Sequence, residues 1–188
     1  MTGRDLYSKL IFVFDFLYFL FRIFPLSVKQ FLYSSTFLFR GKFGAGMRYV
    51  LVKAMVKELG RASYFAANTV IRNPGNIVIG SNLSMHDFCY LDGYGGIKLG
   101  DNISIAHAVS LISFEHTWGD PSKPIKYNKV KGAEIVIDDD VWIGCGVRIL
   151  AGAHIESRVV VAAGAVVKGR LDSGWVYGGV PAKKLRAL

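Results

Sequence analysis

Cysteine is almost missing from this chain: Cys89 and Cys145 are the only two in 188 residues. Two isolated thiols make neither a disulfide framework nor a Cys-rich zinc site, and they fit a reducing compartment. Acidic side chains are also scarce, 14 Asp and Glu against 23 Lys and Arg, which leaves a formal charge of +9. No apolar run reaches membrane-spanning length. The stretch 10–24 carries Asp15 and Arg22 and falls short of the ~20 residues that a spanning helix needs. The early Asp15, with no small-residue cleavage site after it, also argues against a secretory signal peptide.

What is present is unevenly placed. Residues 1–62 hold ten Lys and Arg against Asp5, Asp15 and Glu58, so seven of the nine net charges lie in the first third. These cations are interleaved with apolar, aromatic runs over 10–24 and 31–39. Nucleic-acid footprints are basic stripes with polar companions, so no nucleic acid is expected as a partner. Basic and aromatic together read as a surface for anionic lipid, and residues 1–45 are expected to meet a membrane surface or to pack against the rest of the molecule. The expected location is cytoplasmic, peripheral on the inner face of the cytoplasmic membrane.

From Ile137 onward an apolar residue returns every sixth position: Ile137, Ile143, Ile149, Ile155, Val161 and Val167. Small or β-branched residues follow four places after most of them, at Val141, Val147, Ala153, Val159 and Ala165. A helix repeats near 3.6 and a strand near 2, so a beat of six signals a chain winding through short flat faces. The same beat runs through Ile79, Met85 and Leu91, slips by two residues near Gly95 and Gly96, and resumes at Leu99, Ile105 and Leu111. The expected fold is therefore mainly β, a hexapeptide-repeat solenoid, preceded by a helical aromatic-rich segment and followed by a closing tail. The boundary is set at 62/63, with the first segment broken at Pro25 and again near Gly41 to Gly46. Residues 47–59 have apolar positions at helical spacing and are expected to form a helix that stops at Gly60. The solenoid is expected over 63–168, interrupted by one polar loop at 113–132, and a loop that long inside a repeat array is usually functional.

Four blocks in order, LGDNISIAHAVSLISFEH (99–116), IDDDVWIGCGVRILAGAHI (137–155), VVVAAGAVVKG (159–169) and GGVPAKKLR (178–186), resemble the hexapeptide-repeat acyltransferases of the left-handed β-helix superfamily, in particular the galactoside, maltose and polysaccharide O-acetyltransferases. The resemblance covers about the last 120 residues. It implies a left-handed parallel β-helix with coils of about eighteen residues, a homotrimer, acetyl-CoA bound between neighbouring subunits, a carbohydrate acceptor and no metal. It also implies one catalytic histidine at the start of the long loop, which here is His116. An imidazole is the side chain best suited to take a hydroxyl proton near neutral pH.

By the same resemblance Trp142 lines the cleft near the thioester, and Lys168, Lys183, Lys184 and Arg186 lie where the family holds the nucleotide phosphates. Small residues at Gly144, Cys145, Ala163 and Gly164 let an extended pantetheine approach the backbone, although tight corners need small residues too. A backbone N–H near Cys145 is the candidate oxyanion donor. Cys145 as an acyl-carrying nucleophile is the competing scheme, and no base is recognisably paired with it. His86 stands where galactoside-type members have an asparagine near the acceptor, and with Glu115 and Trp118 it makes up the candidate acceptor contacts. His107 and His154 read as outward-facing repeat residues. The readings set against O-acetyl transfer are a nucleotide-sugar or amino-sugar N-acetyltransferase, a γ-carbonic-anhydrase-like metal hydratase on the same fold, and a non-catalytic membrane scaffold.

Overall fold

The computed structural model describes residues 3–39 and 41–188, with side chains from Leu10 onward; Met1, Thr2 and Arg40 of the 1–45 segment lie outside the described residues. Six turns of parallel β-solenoid form the body of the molecule. Face I stacks Glu58–Leu59, Ile77–Ile79, Ile97–Leu99, Ile135–Ile137, His154–Ile155 and Arg170–Leu171. Face II stacks Tyr64–Phe65, Ser84–Met85, Ser104–Ile105, Val141–Ile143, Val159–Val161 and Trp175–Gly178. Face III stacks Val70–Arg72, Tyr90–Asp92, Ser110–Ile112, Arg148–Leu150 and Val166–Val167.

Strands of two or three residues can send only one or two side chains inward before the chain turns a corner. The beat of six is that inward column. Phe65, Met85, Ile105, Ile143, Val161 and Tyr177 fill face II; Ile71, Leu91, Leu111, Ile149 and Val167 fill face III; Ile79, Leu99, Ile137, Ile155 and Leu171 fill face I, and all are buried. Each lies directly over its counterpart one turn away, as in Met85 against Ile105 and Ile143 against Val161. The beat therefore predicts the core residue by residue, and the fold is the expected left-handed β-helix.

The slips differ from the sequence reading. Residues are inserted at the corner between faces III and I in both of the first two turns, at Pro74–Asn76 and again at 93–96, so the early pairings Phe65 with Met85 and Met85 with Ile105 are twenty apart. Eighteen separates Ile143 from Val161. In the third turn the same corner gives out the long loop, between Ser110–Ile112 and Ile135–Ile137. All the irregularity of the solenoid is thus collected on one edge, and the edge between faces II and III keeps a constant tight turn.

Three helices precede the solenoid: α1 (Gly3–Phe21), α2 (Leu26–Ser35) and α3 (Gly41–Met55). Pro25 separates the first two, as its missing N–H and fixed φ dictate. The second break falls at 36–39, before the glycines rather than within them. Gly44 and Gly46 are inside α3 because something packs where their Cβ would be: the Phe39 carbonyl overlaps the Gly44 site, and the Phe14 ring lies 3.1 Å from the Gly46 site. The helix expected over 47–59 also stops early, at Met55. Glu58–Leu59 instead pair in parallel with Ile77–Ile79, with Lys57 N–H on the Ile77 carbonyl and Gly60 N–H on that of Ile79. The ladder of the first turn takes these residues, so the solenoid begins at Glu58, five residues before the expected boundary.

Helix α3 plugs the open first turn. Its Val50, Leu51 and Val52 are fully buried, and the Tyr49 hydroxyl donates to the Gly60 carbonyl. The junction is held by Arg48, which is 2 % exposed. Its Nε donates to the Phe65 carbonyl at 2.8 Å and one terminal nitrogen donates to the Thr36 and Phe39 carbonyls, both at 3.1 Å. A buried cation satisfied only by carbonyls ties the end of α2 and its 3-10 turn to the first turn of the solenoid. Replacing it with Met leaves those acceptors without donors, at about 1–3 kcal/mol each. Arg48→Met is expected to lower unfolding stability by on the order of 3 kcal/mol, read as a drop in the denaturant midpoint at unchanged m-value.

Candidate active site

The loop that carries His116 is ordered by its own hydrogen bonds. Phe114–His116 pairs antiparallel with Val130–Gly132, His116 opposite Val130, so the loop leaves the solenoid as a short two-stranded ribbon. Beyond it the Thr117 N–H and hydroxyl both donate to the Lys129 carbonyl. The tip is organised around Asn128, the one buried side chain of the loop beyond Ser113. Its amide donates to the carbonyls of Asp120, Lys123 and Pro124 and its oxygen accepts from the Asp120 N–H at 3.0 Å. Asp120 accepts from Ser122 and pairs with Lys123 at 2.8 Å, and these contacts hold its carboxyl below the usual range. Nothing in the local pattern singled out Asn128; its role shows only once the loop has closed around it.

His116 itself is exposed at the end of the ribbon and makes no side-chain hydrogen bond among the described residues. Alternation along the strand puts Phe114 and His116 on one side of the ribbon and Glu115 on the other. Phe114 packs edge-on against Tyr94 at 5.5 Å, which fixes that side against the solenoid. Glu115 is therefore not placed to orient the imidazole. Trp118 is exposed, two residues farther along.

The other candidates divide between edges. At the corner between faces II and III, equivalent positions in successive turns are Ala66, His86, Ala106, Gly144, Ala162 and Gly178, each of the first five donating its N–H to the turn that follows. Gly144 allows no side chain: a Cβ there would lie 2.7 Å from the Ala163 nitrogen and 2.8 Å from the Val161 oxygen. The next residues, Cys145 and Ala163, donate their N–H groups to no carbonyl among the described residues, so two amides one turn apart at this edge are left without a backbone acceptor there. Cys145 is half-buried and no base reaches its thiol among the described residues. Gly146 and Gly164 turn the corner with positive φ, and Trp142 stands exposed on face II beside it, between Ser104 and Val160. His86 interrupts the series, its ring edge-on to Tyr64 at 6.4 Å.

Lys168 lies at the corner between faces III and I, the edge from which the His116 loop departs. Lys183, Lys184 and Arg186 are on the final strand, Lys183–Ala187, which turns back antiparallel onto Trp175–Gly178 on face II. Lys184 is engaged within the chain: its ammonium pairs with Asp172 at 2.8 Å and sits 4.8 Å from the Trp175 ring centre. That pairing raises the lysine and lowers the Asp172 carboxyl. Lys183 and Arg186 are exposed. His107 is exposed at the II–III corner, as expected, whereas His154 has a partner that its sequence neighbours do not reveal, Asp138 at 3.0 Å in the preceding turn. One chain thus places His116 and Lys168 on one edge and Trp142, Gly144, Cys145, Ala163 and Gly164 on another. Among the described residues no group of three or more His, Cys, Asp or Glu converges to hold a metal.

Because the loop is held through Asn128, Asn128→Ala is expected to speed proteolytic cleavage within 113–132 by on the order of tenfold, with the melting of the solenoid nearly unchanged. Equal cleavage rates would mean that the ribbon alone orders the loop.

Known proteins share this repeat and this fold. Residues 134–169 match the bacterial transferase hexapeptide (six repeats) family. The chain is 29 % identical over 60 % of its length to the putative lipopolysaccharide biosynthesis O-acetyl transferase WbbJ of Escherichia coli, of which 61 % is covered. It is 29 % identical over 75 % of its length to the galactoside O-acetyltransferase of E. coli, covering 68 % of that protein. A hexapeptide-repeat acetyltransferase from Vibrio cholerae, solved with acetyl coenzyme A, superposes with a TM-score of 0.77 at 26 % identity, over 86 % of each chain. The chain spans 43 to 61 % of the length of the first curated relatives it matches. By its repeat, its fold and these likenesses the chain is similar to the hexapeptide-repeat acyltransferases.

Proposed function

We propose that the protein transfers the acetyl group of acetyl-CoA to a hydroxyl of a sugar, in a cell-surface polysaccharide or its lipid-linked precursor, and that it does so as a homotrimer on the inner face of the cytoplasmic membrane. The observation that carries this reading is the division of the site residues between two edges of one solenoid. His116 and the groove of small residues are separated within a chain and meet only where the loop edge of one copy faces the II–III edge of the next. The same juxtaposition adds Lys168 to the groove. The donor is supported by the V. cholerae structure, which holds acetyl coenzyme A, and the acceptor class by the names of the two E. coli relatives.

The residues then have these parts. Gly144, Ala163 and Gly164 leave room for an extended pantetheine, whose amides pair with the strand edge. Lys183, Arg186 and Lys168 supply positive charge for the phosphates, while Lys184 fastens the final strand through Asp172. Trp142 walls the thioester end. His116 accepts the hydroxyl proton as the acceptor oxygen bonds to the carbonyl carbon. The N–H groups of Cys145 and Ala163 meet the oxyanion. When the carbon–sulfur bond breaks, the imidazolium returns its proton to the thiolate, so the histidine ends as it began. Cys145 needs no acyl intermediate in this scheme.

His116→Ala is expected to lower turnover by about 10²–10⁴ while leaving CoA affinity near normal. Ala163→Trp is expected to abolish CoA binding by filling the groove. Mixing the two inactive variants under conditions that exchange subunits should restore activity that neither has alone, because mixed assemblies contain intact pairs of edges. No recovery from a verified mixture would place the site within one chain. A chelator should leave acetyl transfer unchanged; carbon dioxide hydration that a chelator abolishes and zinc restores would favour the hydratase reading.

A further inference from the structure

The helical cap carries a second apolar surface that the solenoid does not use. On α1, Phe14, Leu17, Tyr18 and Phe21 face inward against the core. The opposite side is just as apolar: Phe12, Phe16, Phe19, Leu20 and Ile23 are exposed, Phe12 at 85 %. A helix apolar on both sides suits burial on both sides, and only one is covered by this chain. Phe31, Leu38, Phe39 and Phe43 elsewhere in the cap are exposed as well. Phe12, Phe16, Phe19, Phe31, Phe39 and Phe43 alone leave on the order of 800 Å² uncovered, at about 200 Å² for a whole ring.

Cations surround this surface. Arg22 lies over the Phe19 ring at 5.1 Å, and Lys42, next to Phe43 in the chain, is exposed. Asp15, the acid on the described part of α1, is already paired with Lys53 at 2.8 Å. No helix among the described residues is long and apolar enough to cross a bilayer. Aromatic side chains with exposed cations that have no acidic partner among the described residues match a bilayer surface bearing anionic headgroups, entered only to interfacial depth.

The cap also lies at a particular end of the groove. The small corner residues run from Gly178 down through Ala162 and Gly144 to Ala106, are interrupted by His86 in the second turn and resume only at Ala66. The second turn also holds Phe88, exposed and at φ 62°, and Tyr64 of the first turn meets the His86 ring. Every other occupant of the Phe88 position, Asn68, Ala108, Gly146 and Gly164, is small. An extended donor therefore lies toward the tail, and the free end of the groove is the one beside α3. With turns ~4.8 Å apart and a helix ~10 Å across, His86 lies roughly 15–20 Å from the far side of the cap.

We propose that the cap seats in the surface of an anionic membrane and turns the acceptor end of the groove toward it, with the donor entering from the opposite, cytosolic end. The acceptor class that follows is a glycan anchored in the same bilayer and acetylated on a sugar within a few units of its lipid. The docking stands on the cap alone; the acceptor class rests on the acetyltransferase reading above.

The test uses the full-length protein and a triple variant of outward side chains, Phe16→Ser, Phe31→Ser and Leu38→Ser. Flotation with phosphatidylglycerol-rich vesicles should carry the wild type, with purely zwitterionic vesicles carrying much less, and 0.5 M salt reducing the bound fraction. The triple variant should float more than about tenfold less at unchanged oligomeric size and circular dichroism. Acetyl transfer is then compared for octadecyl and methyl glycosides of one sugar, the former in vesicles. Anionic vesicles should raise the rate on the octadecyl acceptor, and the variant should lose that gain while keeping the wild-type rate on the methyl acceptor. Flotation independent of headgroup charge, or a variant that changes oligomeric size and not flotation, overturns the docking and makes the surface a contact between copies. Normal flotation with equal vesicle effects on both acceptors overturns the acceptor class. Normal flotation with no transfer to any glycoside removes the acetyltransferase reading and leaves the docking in place.

Discussion

Three short faces meeting around a narrow interior leave space for only one or two columns of side chains each, and that constraint governs the rest of the molecule. Ile105, Ile143, Val161 and their equivalents lie over one another because a shifted turn would send a polar neighbour such as Ser104 or Trp142 into the axis. A slip of one residue reverses every side chain, so insertions are accepted only where the chain leaves the stack altogether. The corner between faces III and I meets that condition, and both the small insertions and the His116 loop are there. The II–III corner does not, and it stays smooth enough to be a groove.

How much of this could be read from the residues follows from the range of the interactions. The solenoid was legible because its signal is local and repeated: six positions separate Ile137 from Ile143 and again Ile143 from Ile149, whatever lies elsewhere. The position of the loop was legible for the same reason, as a gap in the beat. The first turn was not. Glu58 and Leu59 look helical beside 47–55, and only pairing with residues twenty places on makes them a strand. Likewise the glycines of α3 read as a break, although Gly44 and Gly46 are small because the Phe39 carbonyl and the Phe14 ring occupy the adjacent space.

For the site, residue types were legible and their grouping was not. Resemblance pointed to His116, Trp142 and the small residues near Gly144 and Ala163. Which edge each occupies depends on where the corners fall, and that assigns His116 and Lys168 to one side and the rest to another. The lysines of the tail looked equivalent in AKKLR, yet Lys184 is held by Asp172 and Trp175 while Lys183 and Arg186 project outward. Asn128 and Arg48 carried no signal at all. Both act by binding carbonyls that are distant until the chain is folded.

The final strand has one further effect. Stacked parallel turns end in rows of unpaired backbone groups, and two such ends from different copies would extend each other into a fibre. At one end α3 covers the first turn; at the other, Lys183–Ala187 reverses direction and lays cationic side chains along the exposed rim of face II. A polymer growing through that rim would have to bring like charges together on strands running the wrong way. Both capped ends thereby oppose extension of the stack, even though each of its turns is a template for another.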